Sequence, residues 1–148
     1  MDMEKLRAEI TFDEGRRRNP YKDSLGNYTG GVGHNLQAHG ASWEDICGWM
    51  HAGIPDVVID QWLTDDIEAA ITTCWGIFPT FADLGDNRQR VLVNMAFDLE
   101  HELNDWHGLK AAIAAKDWTG ASLAIMDSRF AHEAPNRCGR LAARMVEG

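Results

Sequence analysis

One proline and five glycines between positions 15 and 33 decide what the front of this chain can fold into. Asn19-Pro20 blocks a helix, because the residue before a proline is pushed toward extended angles. Gly26 and Asn27 tolerate turn conformations, so Tyr21–Asp23 and Tyr28–His34 are expected as hairpin arms around Ser24-Leu25-Gly26-Asn27. Gly30, Gly31 and Gly33 weaken a strand, and they make better sense if something must approach the backbone closely.

Everything on either side reads as helix. Met3, Leu6, Ile10 and Asp13 recur at helical spacing over residues 3–13, and Gly15 suits the position just past the end of that helix. Ser42-Trp43-Glu44-Asp45 resembles a helix start and predicts a short helix through Met50. From Asp56, the residues Val57, Val58, Trp62, Leu63, Ile67, Ala70 and Ile71 form a broad apolar stripe. A helix continuous from 56 to 74 would be about 28 Å long, enough to join two lobes. Pro79 breaks the pattern. Further helices are expected from Asp86 to Leu99, from Trp106 to Ala115 capped by Asp105, from Asp117 to Met126, and from Pro135 onward. The fold class is therefore α+β and mostly helical, with no internal repeat and no flexible linker.

At 148 residues there is room for one domain or two small lobes. A net charge of −9 argues against a general nucleic-acid or anionic-membrane binder, which needs a cationic field. Cys47, Cys74 and Cys138 form an odd set without close pairs, which favours free thiols in a reducing compartment. The first residues carry acids where a signal peptide wants cations, and no apolar run reaches the roughly 18 residues of a membrane span. The six tryptophans are expected mostly in the core, with Trp106 nearest to a cleft.

Chemistry concentrates in Glu14, Asp23 and Thr29. Glycoside hydrolysis needs one carboxylic acid to protonate the leaving oxygen and one ionised carboxylate to assist water. A Glu at a partly buried helix C-terminus feels a negative dipole end and desolvation, which favour its protonated form, whereas an Asp on a wet hairpin stays charged. Thr29 can hold a water between them. Glu-Gly at a helix end and Asp before a turn are also common in proteins with no such activity, so these residues alone leave both readings open.

Glu14-Gly15, Tyr21-Lys22-Asp23 and Gly26-Asn27-Tyr28-Thr29-Gly30-Gly31-Val32-Gly33-His34 resemble the active-site segment of phage-type lysozymes, the endolysins of glycoside hydrolase family 24. The intervals from Glu14 to Asp23 and on to Thr29, nine and six positions, are those of the family's Glu, Asp and Thr triad. Asp65-Asp66-Ile67-Glu68-Ala69-Ala70, Val93-Asn94-Met95-Ala96-Phe97, Ser128-Arg129-Phe130 and Pro135-Asn136-Arg137 resemble later family segments in the same order.

The resemblance implies a lysozyme-like two-lobed fold: an N-terminal hairpin lobe over about 12–55, a connecting helix over about 56–74, and a helical C-terminal lobe over about 75–148 packed with the first helix, 1–11. It implies a muramidase cleaving β-1,4 bonds between N-acetylmuramic acid and N-acetylglucosamine in peptidoglycan, with the substrate between the lobes and inversion as the outcome. Glu14 would be the general acid, with Asp23 and Thr29 positioning the nucleophilic water. His34, which alone reads as a metal ligand, a base or a structural residue, would pair with Asp66. Arg137, otherwise a solvated helix charge, would reach Glu14 from the other lobe. Phe97 would line the cleft, although plain core suits it equally. Asn35 is a candidate sugar donor where the family usually has an apolar residue. The expected partner is the glycan strand, bound by a monomer with no cofactor and no metal, made in a host cytoplasm and released to the wall by a holin. The rival readings are a lytic transglycosylase and a non-catalytic wall-binding protein.

Overall fold

The computed structural model describes residues 1–148. Eight α-helices and one small sheet follow in the order α1 (Met3–Glu14), β1 (Arg17–Lys22), β2 (Tyr28–Gly31), β3 (His34–Asn35), α2 (Trp43–Ala52), α3 (Asp56–Ile77), α4 (Asp86–Leu99), α5 (His107–Ala114), α6 (Trp118–Met126), α7 (Arg129–Glu133) and α8 (Pro135–Glu147). The fold is α+β and mostly helical, as expected. No helix is long and apolar enough to cross a membrane.

The chain forms two compact units. One comprises Arg7–Glu68 and holds the sheet, α2 and the first half of α3. Its sheet is antiparallel with β2 in the centre, pairing Tyr21 with Thr29, Lys22 with Tyr28, Thr29 with Asn35 and Gly30 with His34. Val32, Leu36, Ile46, Ile54, Ile59 and Leu63 are buried. The second unit comprises Met1–Leu6 and Ala69–Gly148. There α4 is the most buried element, with Val91 to Ala96 all inside.

Local chemistry explains most boundaries. Gly15, at φ 74°, donates its N–H to Thr11 O and ends α1. Ser42 and Asp45 form a reciprocal capping box at the start of α2. Asp117 accepts from Gly120 N–H at the start of α6, and Pro135 occupies the first turn of α8.

Other expectations need correction. Asn19-Pro20 does not precede the hairpin but lies inside β1, which starts at Arg17. The pairing is irregular between Arg17 and Tyr21, and β1 is an edge strand, so a residue without an N–H is accommodated. Asp105 does not cap α5; it closes a 3₁₀ segment, Glu100–Asp105, and α5 starts two residues later. The short α7 and the strand β3 were not anticipated. The tryptophans are not core residues either: Trp43 and Trp75 are more than half exposed and the other four are half-buried. Several instead cover polar groups, as Trp118 does beneath the Arg88 guanidinium, 3.9 Å from its ring centre.

All three cysteines are free. Burial pushes the Cys74 thiol up to about 12, and burial together with the Asp98 charge pushes Cys138 up to about 11 despite nearby Arg137. A disulfide-exchange reagent at mildly alkaline pH is expected to modify only half-buried Cys47 in the folded protein and all three thiols in denaturant. Rapid labelling of Cys74 or Cys138 in the native state would contradict the packing described.

Candidate active site

The Glu14 side chain, at the C-terminal end of α1, lies against a position without a side chain of its own, Gly33. Gly33 has φ 68°, and a Cβ there would lie 3.0 Å from Glu14 Oε2 and 3.3 Å from Glu14 Cδ and Cγ. The half-buried Glu14 carboxylate therefore rests directly on the turn between β2 and β3. A glycine fits here for two separate reasons, the backbone angle and the space.

Asp23 follows β1 and organises the hairpin turn. Its Oδ1 accepts from Leu25 N–H at 2.9 Å and Asn27 N–H at 2.8 Å, while Oδ2 faces Asn27 Nδ2 at 3.4 Å. Partial desolvation acts to raise its pKa, but donation from Asn27, Leu25 and Gly26 outweighs this and holds the carboxyl below its usual range. Asp23 is consequently ionised across the neutral and mildly acid range.

Thr29 sits in the central strand between Tyr21 and Asn35, the three side by side across the sheet. It is only 4 % exposed, and its hydroxyl faces Asn27 O at 3.4 Å. Tyr21 links the two carboxylates electrostatically. Burial raises its phenol pKa, the Glu14 and Asp23 charges raise it further, and Arg17, stacked 4.4 Å from the ring centre, opposes them. Glu14 and Asp23 thus act on one phenol.

Behind this group, buried His34 donates from Nδ1 to Asp66 Oδ2 at 2.7 Å, the pair that the resemblance implies. Trp62 stacks on His34 with ring centres 4.4 Å apart and His39 stacks at 4.0 Å. Two rings at such distances cannot share one face, so His34 is sandwiched. Asn35 uses its side-chain Oδ1 to accept from Ala38 N–H at 3.1 Å and its backbone oxygen to accept from His39 Nδ1 at 2.8 Å.

In the other unit, Arg137 on α8 is buried. It donates to Asn94 Oδ1 at 2.9 Å and Asn94 O at 3.0 Å, and pairs with Asp98 at 3.3 Å, both on α4. A solvated helix charge is therefore the wrong description of it. Phe97, between Asn94 and Asp98 in sequence, is half-buried.

Four contributors were not foreseen as such: Tyr21, Gly33, Trp62 and His39. Trp62 lies one helical turn before Asp66, so an aromatic shelf beside that carboxylate was readable from i, i+4 spacing. His39 had no such signal. No protein-family model matches the chain, and no curated protein matches it.

Gly33→Ala and Gly26→Ala separate space from backbone angle. Both positions have positive φ, but nothing lies within 4 Å of a Cβ at Gly26. Each is expected to lose about 1–2 kcal/mol in urea unfolding, while only Gly33→Ala shifts the Glu14 carboxyl resonance in NMR spectra.

Because the folded Asp23 pKa is depressed, the stability it contributes is complete above the unfolded value near about 3.9 and is lost as pH falls through the lower folded value. Asp23→Asn should therefore flatten the acid limb of a stability profile below about pH 4. An unchanged acid limb would show that the turn does not depend on this charge.

Proposed function

We propose that the protein is a peptidoglycan-cleaving muramidase of the phage lysozyme type, acting as an endolysin on β-1,4 bonds between N-acetylmuramic acid and N-acetylglucosamine. The observation that most supports this reading is the pairing of a half-buried carboxyl at a helix C-terminus with an ionised carboxylate on the adjoining hairpin, both acting on Tyr21. Two carboxyl groups in unlike surroundings are what glycoside hydrolysis requires.

In this mechanism Glu14 protonates the departing glycosidic oxygen. Asp23, kept charged by its turn, accepts a proton from the attacking water, and the Thr29 hydroxyl orients that water. Attack opposite the leaving group inverts the anomeric centre. Asn35, whose Oδ1 is committed to Ala38 N–H, offers its Nδ2 group to a sugar hydroxyl. His34 and Asp66 hold β3 against α3. The partner is the glycan strand, and a holin would give an enzyme made in the host cytoplasm access to it.

A second reading rests on the same turn. Asp23 Oδ1 accepts from two backbone N–H groups, and Oδ2 accepts from Asn27 Nδ2. If those bonds occupy it fully, Glu14 acts alone and the reaction becomes a lytic transglycosylation, closing an anhydro ring without water. Mass spectrometry of digested peptidoglycan separates the two: hydrolysis gives reducing muropeptides, and dominant anhydro-muropeptides would overturn it. Glu14→Gln is expected to lower clearing of permeabilised Gram-negative cells at least about 100-fold without loss of folding. Equal clearing by wild type and Glu14→Gln would remove Glu14 from the chemistry.

A further inference from the structure

Beside the proposed catalytic group, two imidazoles and one carboxylate converge within the unit Arg7–Glu68. One ligand atom from each of His34, His39 and Asp66 lies within 4.8 Å of the other two. We infer that these three residues form a binding site for a divalent transition-metal ion of the zinc type.

His39 is held in one tautomer. Its Nδ1 is 2.8 Å from the Asn35 carbonyl oxygen, which can only accept, so Nδ1 carries the hydrogen and Nε2 presents its lone pair. That nitrogen is 3.7 Å from Asp66 Oδ1, too far for a hydrogen bond. Two metal–ligand bonds of about 2.0–2.1 Å span up to about 4.1 Å, so the gap accommodates an ion without backbone movement. A histidine whose second nitrogen donates to a backbone carbonyl is also the usual outer-shell arrangement around a metal.

His34 completes the set. Its Nδ1 is 2.7 Å from Asp66 Oδ2, and its ring is fixed by Trp62. On binding, the ion takes the place of the Nδ1 proton: a neutral ring passes to the tautomer with its proton on Nε2, and an imidazolium releases the Nδ1 proton to solvent. His39 is 51 % exposed. It provides the entry path, and its ring tilts out of the 4.0 Å stack on His34 to complete the coordination.

Two imidazole nitrogens and one carboxylate suit Zn²⁺ and its neighbours, not the all-oxygen preference of Ca²⁺ or Mg²⁺. Water fills the remaining position. The occupied site would tie β3, the turn after it and α3 together behind the Gly33 seat of Glu14. The inference does not depend on which reaction the protein performs.

Zinc chloride titrated into protein stripped with a chelator tests it, followed by calorimetry and by thermal unfolding. One Zn²⁺ per chain and a melting temperature that rises with zinc are expected, with no rise from magnesium. His39→Ala should lower the metal-free melting temperature slightly, through the lost hydrogen bond to Asn35 O, and should lose the zinc-dependent rise and weaken binding at least about tenfold. His107→Ala, at an exposed histidine outside the cluster, should bind as wild type does. No zinc binding by the wild type, or equal affinity and stoichiometry in His39→Ala, would overturn the site.

Discussion

Close approach to a backbone without side chains is the constraint on which the sheet-bearing unit depends. Within Gly30-Gly31-Val32-Gly33, each glycine receives a different neighbour. A Cβ at Gly30 would meet Ile54 Cδ1 at 2.5 Å, one at Gly31 would meet Ile59 at 3.3 Å, and one at Gly33 would meet Glu14 Oε2 at 3.0 Å. Three parts of the chain therefore seat on four residues. Two are apolar contacts with fully buried isoleucines, and the third is the carboxylate of the proposed acid. Gly31 and Gly33 add positive φ, so even a residue small enough to fit would be strained there. Apolar packing and the proposed acid thus meet at one strand end.

Polar contacts fasten the same region to one helix. Along α3, Asp56, Asp60 and Thr64 recur every four residues and so share a face. Arg16 pairs with Asp56 at 3.0 Å and Asp60 at 2.8 Å, and Arg7 donates to Thr64 at 2.8 Å. A second row, Trp62 and Asp66, takes up His34. Burial acts to lower the Arg16 pKa, but its two carboxylate partners outweigh this and raise it. Exposed pairs of this kind contribute about 0–1 kcal/mol each. Their value here is positional: they fix how α1 and β1 meet α3, and hence where Glu14 lies over Gly33. The basic run Arg16-Arg17-Arg18 is accordingly spent inside the unit. Arg17 stacks on Tyr21, and Arg18 donates to Ile54 O at 3.3 Å.

What could be read from the sequence is what chemistry decides within a few residues. Gly15 beyond α1, the Ser42 and Asp45 capping box, the Asp117 cap and Pro135 at a first turn all act over one to three positions. Ser128 carried the same signal for α7, since its hydroxyl accepts from Ala131 N–H at 3.2 Å, yet a five-residue helix is too short for periodicity to reveal. Pro20 misled because its effect depends on strand order: it breaks a central strand but not an irregular edge. Glu100 adopts φ 46° without being glycine, which no local pattern announces. At the site, the glycines signalled a close approach, but which side chain approaches is decided by the path of α1. The contacts around His34 span 28 and 32 positions to Trp62 and Asp66. Only the family resemblance linked His34 to Asp66, and nothing in the sequence placed His39 on the pair.

Asp23 shows how a structural and a chemical demand coincide in one side chain. The turn needs an acceptor that satisfies the N–H groups of Leu25 and Asn27, and an ionised carboxylate does this more strongly than an amide oxygen. The proposed reaction needs a carboxylate that remains charged while a neighbouring one holds a proton. The hydrogen bonds that close the turn are also those that lower the Asp23 pKa, so the hairpin supplies the charge state by folding. Oδ1 carries both backbone bonds, whereas Oδ2 has only the longer contact to Asn27 Nδ2. The two demands are therefore divided between the two oxygens, and in the proposed hydrolysis water activation would fall to Oδ2.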